Sequence, residues 1–410
     1  MITTQTGPQP ADFADVRATN LAVVLRHVRV NAPCSRADIA AATGLNKATV
    51  SSLVADLIDR RLLRESGLTE RRIGRPATML VLDGAPYAAI GLEIDADHLT
   101  AVAMDLAGER LLSWRRSLAG AAGRAAITPG RAVSAIAALA TRAAARLTAQ
   151  GRHVLRLTVG VPGLVGLDGA VRIAPNLGWR DVDLRAELVR ALRNPPYEIA
   201  VENEANLAAL AELGEGTARG FSDVLYVSGE IGVGAGLILG GELFRGAQGF
   251  GGEFGHMTLD PGGKPCACGS RGCLETVAGL EPLLEMAGLD PSSARTTTGS
   301  GEPVSALAAR ARAGDEQALA ALREGGRWLG IAIASAANLL NFQAVVLGGF
   351  FGQLSTWLAA PIARELEVHV LASEWAVPRL LPSTLGPEAA VRGAAAQSLR
   401  RVLADPMAAA

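Results

Sequence analysis

One histidine and three of the four cysteines of the chain lie within a single short stretch of the sequence. From His256 to Cys266, Cys268 and Cys273, the intervening segments are nine, one and four residues long. Thiolates together with an imidazole are the ligands that zinc takes in closed structural sites. Glycine and proline around the cysteines let the loop fold back on one ion. We therefore predict a structural Zn²⁺ site at these four residues.

The same four side chains allow two other interpretations. The three thiols and the imidazole could be unrelated groups packed in a core. A disulfide is disfavoured, because three cysteines leave one thiol unpaired and the sequence shows no secretory signal.

A second set of polar residues overlaps the cysteine stretch. His256 also belongs to a segment that begins at Glu253, Glu275 follows the last cysteine, and Asn203 and Glu204 follow a predicted strand. Carboxylates and an amide that converge on a cleft can each bind hydroxyl groups of a sugar. Taken singly, Asn203 fits a helix cap and each acid fits a solvated side chain. A zinc loop would bring Glu253, His256 and Glu275 together.

Three helical patterns follow one another near the start of the chain. Apolar residues recur at helical spacing over residues 20–30, a second helix is predicted over residues 35–43, and Asn46 can cap a third over residues 47–60. Gly44 separates the second helix from the third. Helix, tight glycine turn and helix form the plan of a helix-turn-helix module, whose second helix enters the major groove of DNA.

The segment after these helices predicts a wing. Two predicted short strands, residues 62–65 and the apolar residues 79–82, flank a basic loop in which Gly74 and Pro76 hold Arg75 extended, as suits a narrow minor groove. We predict a winged helix-turn-helix module over residues 16–82; a basic module that only packs or dimerises is the alternative. The predicted DNA-contacting residues are Arg36, Asn46, Lys47, Thr49, Ser51, Ser52, Arg71, Arg72 and Arg75.

The charge of the chain is distributed unevenly. Residues 16–82 contain eleven Arg or Lys and five Asp or Glu, a net charge of +6, whereas the whole chain carries −1. The remainder after residue 82 is therefore acidic. A basic module attached to an acidic body is typical of a protein that binds a polyanion through the basic module only.

Length and composition predict a globular protein with two or three domains. The chain has 410 residues, and 49% of them are hydrophobic. Residues 1–15 are polar and contain two prolines, which predicts a flexible tail. No apolar run reaches the roughly 18 residues that a membrane span needs. We therefore expect a cytoplasmic protein with no membrane partner.

The acidic body alternates between strand and helix patterns. Buried strands are predicted over residues 89–94, 155–161 and 224–227, with an alanine-rich helix around residues 131–150. Two successive α/β units of similar build predict two lobes with a cleft between them.

Several motifs together resemble the ROK family (repressors, open reading frames and kinases), and within it regulators of the xylose-repressor and N-acetylglucosamine-repressor type. The resemblance covers nearly the whole chain. Its most specific part is Glu-Phe-Gly-His at residues 253–256 with the cysteine set and Glu275. Supporting motifs are Gly-Val-Pro-Gly at 160–163, Val-Glu-Asn-Glu-Ala-Asn at 201–206 and Val-Val-Leu-Gly-Gly at 345–349.

The resemblance implies an α/β fold in which the winged helix-turn-helix precedes a two-lobed, actin-like or hexokinase-like body over residues 83–410. The first lobe would span about 83–202 with a returning C-terminal helix at about 387–402, and the second about 203–386. Carried over by position, the sugar contacts would be Asn203, Glu204, Glu253, His256 and Glu275. In ROK kinases an Asp that acts as general base follows the Asn; Glu204 stands there in this chain.

The chain departs from the ROK kinases at the phosphate loop. Kinases of the family have Asp-x-Gly-Gly-Thr-Lys where this chain has Glu-Ile-Asp-Ala-Asp-His at residues 93–98. Both glycines are absent, and Asp95 and Asp97 place carboxylates where phosphate charge would lie. A second loop has Glu230 where kinases usually have Thr. Because phosphoryl transfer depends on cradling the phosphates, we predict that ATP binding is lost.

These inferences predict a non-enzymatic, sugar-responsive repressor of genes for carbohydrate uptake or catabolism. Its expected partners are an operator in double-stranded DNA, a sugar or sugar derivative, and further copies of the chain in a homodimer or homotetramer. One alternative is an ATP-dependent sugar kinase with an appended DNA-binding head. Another is a zinc-held scaffold that binds neither sugar nor DNA.

Overall fold

The computed structural model describes residues 13–70, 77–118, 127–296 and 301–409. Across these ranges, no helix combines the length and the apolar character that crossing a membrane requires. The described chain forms an N-terminal helical module followed by an α/β body with two five-stranded sheets.

The N-terminal module contains three helices and a small antiparallel sheet. Its elements in chain order are α1 Phe13–Asn31, β1 Cys34–Ser35, α2 Arg36–Thr43, α3 Lys47–Asp59, β2 Leu63–Glu70 and β3 Ala77–Leu82. The backbone amide of Asp38 donates to Ser35 Oγ, the amide of Ser35 donates to the Asp38 carboxylate, and left-handed Gly44 ends α2. The predicted helix-turn-helix is therefore confirmed.

The first helix begins earlier than the sequence pattern indicated. It starts at Phe13, inside the segment predicted as a flexible tail, rather than near residue 20. Arg17 in this extra turn donates to the Asp56 carboxylate of α3 at 2.8 Å. A contact with a distant residue fixes this turn, so local periodicity could not reveal it.

The first sheet of the body lies beside the N-terminal module. The elements that follow are β4 Tyr87–Ile94, β5 His98–Asp105, β6 Arg110–Ser117, α4 Pro129–Ala149, β7 His153–Val161, β8 Leu164–Val165, β9 Val171–Ala174, β10 Trp179–Val182, α5 Leu184–Ala191 and β11 Glu198–Asn203. The sheet order is β11-β7-β4-β5-β6, with β11, β7 and β4 parallel and β4, β5 and β6 antiparallel. Strands β8 to β10 form a separate small sheet.

The second five-stranded sheet repeats the plan of the first. Its strands and the helices around it are α6 Glu204–Glu215, β12 Val224–Gly229, β13 Val233–Leu239, β14 Glu242–Leu243, α7 Glu275–Ala278, α8 Leu280–Met286, α9 Ser293–Thr296, α10 Gly301–Arg312, α11 Glu316–Leu340, β15 Ala344–Gly348, α12 Gly349–Gln353, α13 Ser355–His369 and β16 Arg379–Pro382. The order β14-β13-β12-β15-β16 again has an antiparallel hairpin and two added parallel strands.

The last long helix, α14 Ala389–Ala404, returns to the first sheet and packs on β4, β7 and α6. Small residues permit the close approach: a Cβ at Gly393 would overlap the carbonyl of Leu207, and one at Gly91 would overlap the backbone of Val391. Inside this contact the Thr158 and Ser398 hydroxyls are hydrogen-bonded at 2.8 Å.

The N-terminal module and the body share one apolar core. Leu25 of α1 and Leu57 of α3 are fully buried in the same cluster as Val102 of β5 and Leu399 and Leu403 of α14. The module is therefore packed against α14 and the first sheet rather than tethered by a free linker.

Candidate functional site

The four predicted metal ligands lie together in the structure. Their ligand atoms are all within 4.8 Å of one another, with 3.7 Å between Cys266 Sγ and His256 Nδ1 and 3.8 Å between Cys268 Sγ and Cys273 Sγ. Tetrahedral zinc with Zn–S bonds of about 2.3 Å separates neighbouring ligand atoms by about 3.8 Å. The donor set and its spacing therefore fit a zinc ion.

Local backbone geometry brings these ligands together. His256 ends a short 3₁₀ turn that starts at Phe254, and Cys273 lies two residues before the start of α7. A bridge between Thr258 and Cys273 closes the base of the loop. Gly272 has φ +65°, and a Cβ there would overlap the carbonyl of Asp260. The tight return of the loop thus requires glycine.

Glu275 adjoins the metal-ligand set. The thiol of Cys266 donates to Glu275 Oε1 at 2.8 Å, and the same oxygen lies 3.7 Å from His256 Nδ1. Burial raises the pKa of the Cys266 thiol, and the hydrogen bond to Glu275 raises it further. A bound cation would favour the thiolate instead, leaving Glu275 beside the ligands.

Asn203, at the end of β11, caps helix α6 and also orients the Glu204 side chain. Its Oδ1 accepts from the amides of Ala205 and Asn206 at 2.9 and 3.0 Å, which confirms the predicted cap of α6. Its Nδ2 donates to the carbonyl of Gly163 and to Glu204 Oε2, both at 3.0 Å. The protein thus occupies all four hydrogen-bonding positions of this amide and fixes the direction of Glu204.

The predicted sugar contacts surround the glycine-rich hairpin between β12 and β13. A Cβ at Gly232 would lie 3.0 Å from Glu275 Oε2, and one at Gly234 would lie 3.9 Å from Glu204 Oε1. Burial raises the pKa of Glu253, while nearby His256 lowers it and Glu275 raises it. The structure therefore brings the three predicted acids and His256 into one region.

The cleft contains further acidic residues besides the predicted sugar contacts. Burial raises the pKa of Glu204 well above its usual value, and the charges of Glu93, Glu253 and Glu230 raise it further. Burial, followed by Asp95 and Glu230, raises the pKa of Glu93 to about 8. The surface of Glu230 is open to solvent, but protein surrounds its carboxyl group within the cleft. This partial loss of solvation and the charge of Asp95 raise the pKa of Glu230 to about 7. The sugar set and the phosphate-loop position thus form one acidic cleft.

Sequence reasoning did not single out Glu93 as a functional residue. The available signal was an acid near the end of an otherwise apolar strand, β4. Its significance depends on Glu230, in the turn after β12, and on Glu204, at the start of α6. That proximity is visible only in the folded chain.

The turn between β4 and β5 contains residues 95–97, part of the stretch at which the sequence departs from the expected phosphate loop of ROK kinases. Asp95 Oδ1 accepts from the backbone amides of Asp97 and His98 at 2.6 and 2.8 Å. Amides of such a turn are the groups that would otherwise bind a phosphate. Asp97 itself is buried, with 4% of its surface exposed. Of the two acids, Asp95 is the one whose charge acts on Glu93 and Glu230.

The predicted DNA-contacting residues divide into three groups. The first group lies on α3, where the exposed side chains are Lys47, Ser51 and Ser52 and Thr49 is partly exposed. Asn46 precedes this helix and caps it as predicted, because its Oδ1 accepts from the Thr49 amide at 2.8 Å. Arg36 forms an ion pair with Glu65 at 3.2 Å. The predicted wing arginines Arg71, Arg72 and Arg75 lie outside the described residues.

A family model described as the ROK family matches residues 89–401. The chain belongs to the ROK family. A second model, described as the MarR family, matches residues 22–72, the segment that contains the helix-turn-helix. The predicted family and fold class, a helix-turn-helix module before an actin-like ROK body, are therefore confirmed.

Similar proteins include both regulators and kinases. The xylose repressor of Bacillus subtilis is 31% identical over 383 residues, which cover 93% of this chain and 95% of that protein. A solved ROK family transcriptional regulator, a homologue of the Escherichia coli Mlc protein, covers 96% of this chain and 98% of its own, with a TM-score of 0.78 and 26% identity. A Streptomyces griseus ROK glucokinase, solved with glucose and AMPPNP, covers 76% of this chain and 98% of its own, with a TM-score of 0.62 and 28% identity.

Proposed function

We propose that this ROK protein is a sugar-responsive transcriptional repressor of genes for carbohydrate uptake or catabolism. One observation carries the proposal: a MarR-like helix-turn-helix shares a continuous core with α14 and the first sheet of a ROK body. A rigid connection of this kind lets a ligand in the body affect the DNA-binding module. The relative that matches over 93% of the chain is a xylose repressor.

The cleft is the proposed sugar site, with contacts from Asn203, Glu204, Glu253, His256 and Glu275. Carboxylates that accept from paired hydroxyls suit a polyol, and the hairpin glycines leave space beside them. Because the Asn203 amide is already engaged, its proposed part is to hold Glu204 in place. The related glucokinase, which was solved with glucose, supports a sugar as the ligand class.

Zinc is the proposed cofactor, held by His256, Cys266, Cys268 and Cys273. Its contribution is structural, because four protein ligands complete a tetrahedral shell and leave no open position. Bound there, the ion would fix the loop from which His256 and Glu275 reach the sugar.

The body is proposed to lack kinase activity. The amides in the turn after β4 are already bonded to Asp95, whose charge also acts on Glu93 and Glu230. A nucleotide would have to break those bonds and bring its phosphates against carboxylates. ATP, Mg²⁺ and a panel of sugars incubated with the purified protein test this point, and sugar phosphate above background would favour the kinase alternative.

DNA binding is assigned to the N-terminal module. The exposed first turns of α3 present Lys47, Ser51 and Ser52, with Asn46, Thr49 and Arg36 nearby. Short polar groups and a lysine suit base edges and phosphates in the major groove. Arg71, Arg72 and Arg75 are proposed to add minor-groove contacts.

A homodimer or homotetramer is the proposed assembly. Large apolar side chains are exposed close together where α11 ends and α13 is followed by a loop: Leu371 is 90% and Trp375 82% exposed, and Leu339 and Val368 accompany them. The Asn338 side chain joins the two segments through Leu371 N and His369 O. Contiguous exposed apolar surface is typical of a protein–protein contact.

The test combines selection of operator DNA with sugar addition. Full-length protein is used to enrich sequences from a random or genomic DNA pool, and the enriched DNA is then titrated with and without individual mono- and disaccharides. A sugar can change operator affinity only by its different affinity for the two states of the protein. We expect at least a fivefold change with one sugar. No enriched sequence and no sugar-induced thermal stabilisation would favour the scaffold alternative.

A further inference from the structure

A second cavity lies beside the cleft, at the junction of the first sheet, the loop after β14 and α14. Its volume is about 220 Å³. Glu202 lines it, whereas the next residue of β11, Asn203, belongs to the cleft cluster. Four arginines converge on this cavity from distant parts of the chain: Arg156, Arg185, Arg245 and Arg401.

The residues that line the cavity include more arginines than acidic side chains. Glu198 pairs with Arg156 at 3.3 Å and with Arg401 at 3.7 Å, and Glu202 pairs with Arg245 at 2.7 Å. These two are the only acids among the lining residues, so the lining carries an excess of two positive charges. The arginine excess faces a space large enough for a small ligand.

Glu202 is also shared among several donors. Besides Arg245, its carboxylate accepts from Asn206 Nδ2 at 3.0 Å and from Gln397 Nε2 at 3.5 Å. A carboxylate divided in this way neutralises the guanidinium groups only partly. In the described part of the chain, the buried donor Arg156 Nε has no hydrogen-bond partner. Buried polar atoms without partners are uncommon in proteins and indicate a missing ligand or water.

The arginines also repel one another. Burial lowers the pKa of Arg156, and the opposite charge of Glu198 raises it. The like charges of the other three arginines lower the pKa of Arg156 further. An anion placed among these groups would relieve both the desolvation and the repulsion.

We propose that this cavity binds a small phosphate-bearing anion, either inorganic phosphate or the phosphate group of a small metabolite. Guanidinium groups recognise phosphate oxygens in pairs and remain charged when partly buried. The volume is below the range of roughly 300–1,000 Å³ that is typical of sites for larger organic ligands. Phosphate recognition here is separate from the sugar set of the cleft.

The position of the cavity couples it to both other parts of the molecule. The loop that carries Arg245 and Gly249 continues directly to Glu253 of the cleft. Gln397 and Arg401 belong to α14, where Leu399 packs in the core of the DNA-binding module. An anion bound here would therefore connect the first sheet, the cleft loop and the helix beneath the module.

The test is calorimetric titration of the full-length protein with inorganic phosphate and, separately, with glucose 6-phosphate, at constant ionic strength set with NaCl. The double variant Arg185→Gln/Arg401→Gln removes two rim charges. Arg131→Gln/Arg146→Gln removes two exposed charges from α4 as a matched control. We expect saturable binding by the wild type and the control, and at least tenfold weaker binding by the rim variant.

The two probes distinguish the sources of the phosphate group. Similar affinities for both would identify the phosphate alone as the recognised part, and tighter binding of glucose 6-phosphate would identify a phosphorylated metabolite. Absence of binding by the wild type, or equal binding by the rim variant, would overturn the proposal. Neither probe requires that the sugar site be functional.

Discussion

Among single residues, Asp95 carries most of the argument for the proposed loss of nucleotide binding. Its carboxylate accepts the amide hydrogens of Asp97 and His98, so the turn carries its own anion. Glu93 and Glu230 lie within range of that charge, and both have raised pKa values. The cleft can therefore take neutral hydroxyl groups much more readily than further phosphate charge.

Glu93 makes the stability of the fold depend on pH. The pKa of its carboxyl is raised from 4.5 to about 8, so between these values the folded chain holds a proton that the unfolded chain has lost. The free energy of unfolding therefore falls as pH rises from about 4.5 to about 8 and levels off above that. We expect Glu93→Gln to stabilise the protein by about 1–2 kcal/mol at pH 8, less than the full shift implies because water reaches the cleft.

Urea unfolding at pH 5, 6.5 and 8 measures this effect. The gain from Glu93→Gln should be largest at pH 8 and close to zero at pH 5. Glu367→Gln, on the exposed side of α13, provides a control that removes one solvent-exposed carboxylate. A constant difference between wild type and Glu93→Gln across this range would contradict the argument.

Cys268 tests the metal site with little disturbance of packing. It is the exposed member of the ligand set, whereas Cys266 and Cys273 are buried. Cys268→Ser should lower the zinc content of the purified protein from about one ion per chain to less than half, because a hydroxyl is a poor ligand at neutral pH. Elemental analysis of wild type and variant gives the stoichiometry. The matched change Cys34→Ser, in the N-terminal module, should leave zinc in place.

At the scale of elements, α3 combines a structural cap with a DNA-facing surface. Asn46 Oδ1 accepts from the Thr49 amide, so Asn46→Ala should cost about 1 kcal/mol of stability. Lys47→Ala, one residue later, should leave stability nearly unchanged and weaken operator binding. Its plot of log affinity against log salt concentration should become shallower by about one unit. Denaturant unfolding and fluorescence anisotropy over a salt series separate the two effects, and an unchanged salt slope would remove Lys47 from the contact surface.

Elements whose limits depend on local chemistry were predictable from the sequence. The limits of both helices of the helix-turn-helix followed from Ser35 with Asp38, Gly44 and Asn46. The spacing of His256 and the three cysteines likewise predicted that these candidate metal ligands cluster. The strand β1 was not predicted, because two residues become a strand only by pairing with β3. The arginine cavity was also missed, since Arg156 and Arg401 meet only after α14 returns to the first sheet.

For the whole molecule, α14 contacts the body and the DNA-binding module at the same time. The two five-stranded sheets have the same strand order, and α14 packs on the first of them and on α6. Leu399 of this helix lies in the module's core, with 5% of its surface exposed. We therefore expect movement of the body on ligand binding to reach the module through α14.

Truncation of Leu399 tests this connection. Leu399→Ala should destabilise the protein by about 2–4 kcal/mol, as expected for a cavity in a packed core. Leu147→Ala in α4 is a matched control, because Leu147 is fully buried in a separate core of the first lobe. The measured quantity is the operator affinity without sugar divided by the operator affinity with sugar. If α14 transmits the sugar signal, Leu399→Ala reduces this ratio. Leu147→Ala should leave the ratio unchanged although it destabilises the protein by a comparable amount. Equal ratios in both variants would mean that sugar binding reaches the DNA-binding module by another route, since only the first variant loosens the shared core.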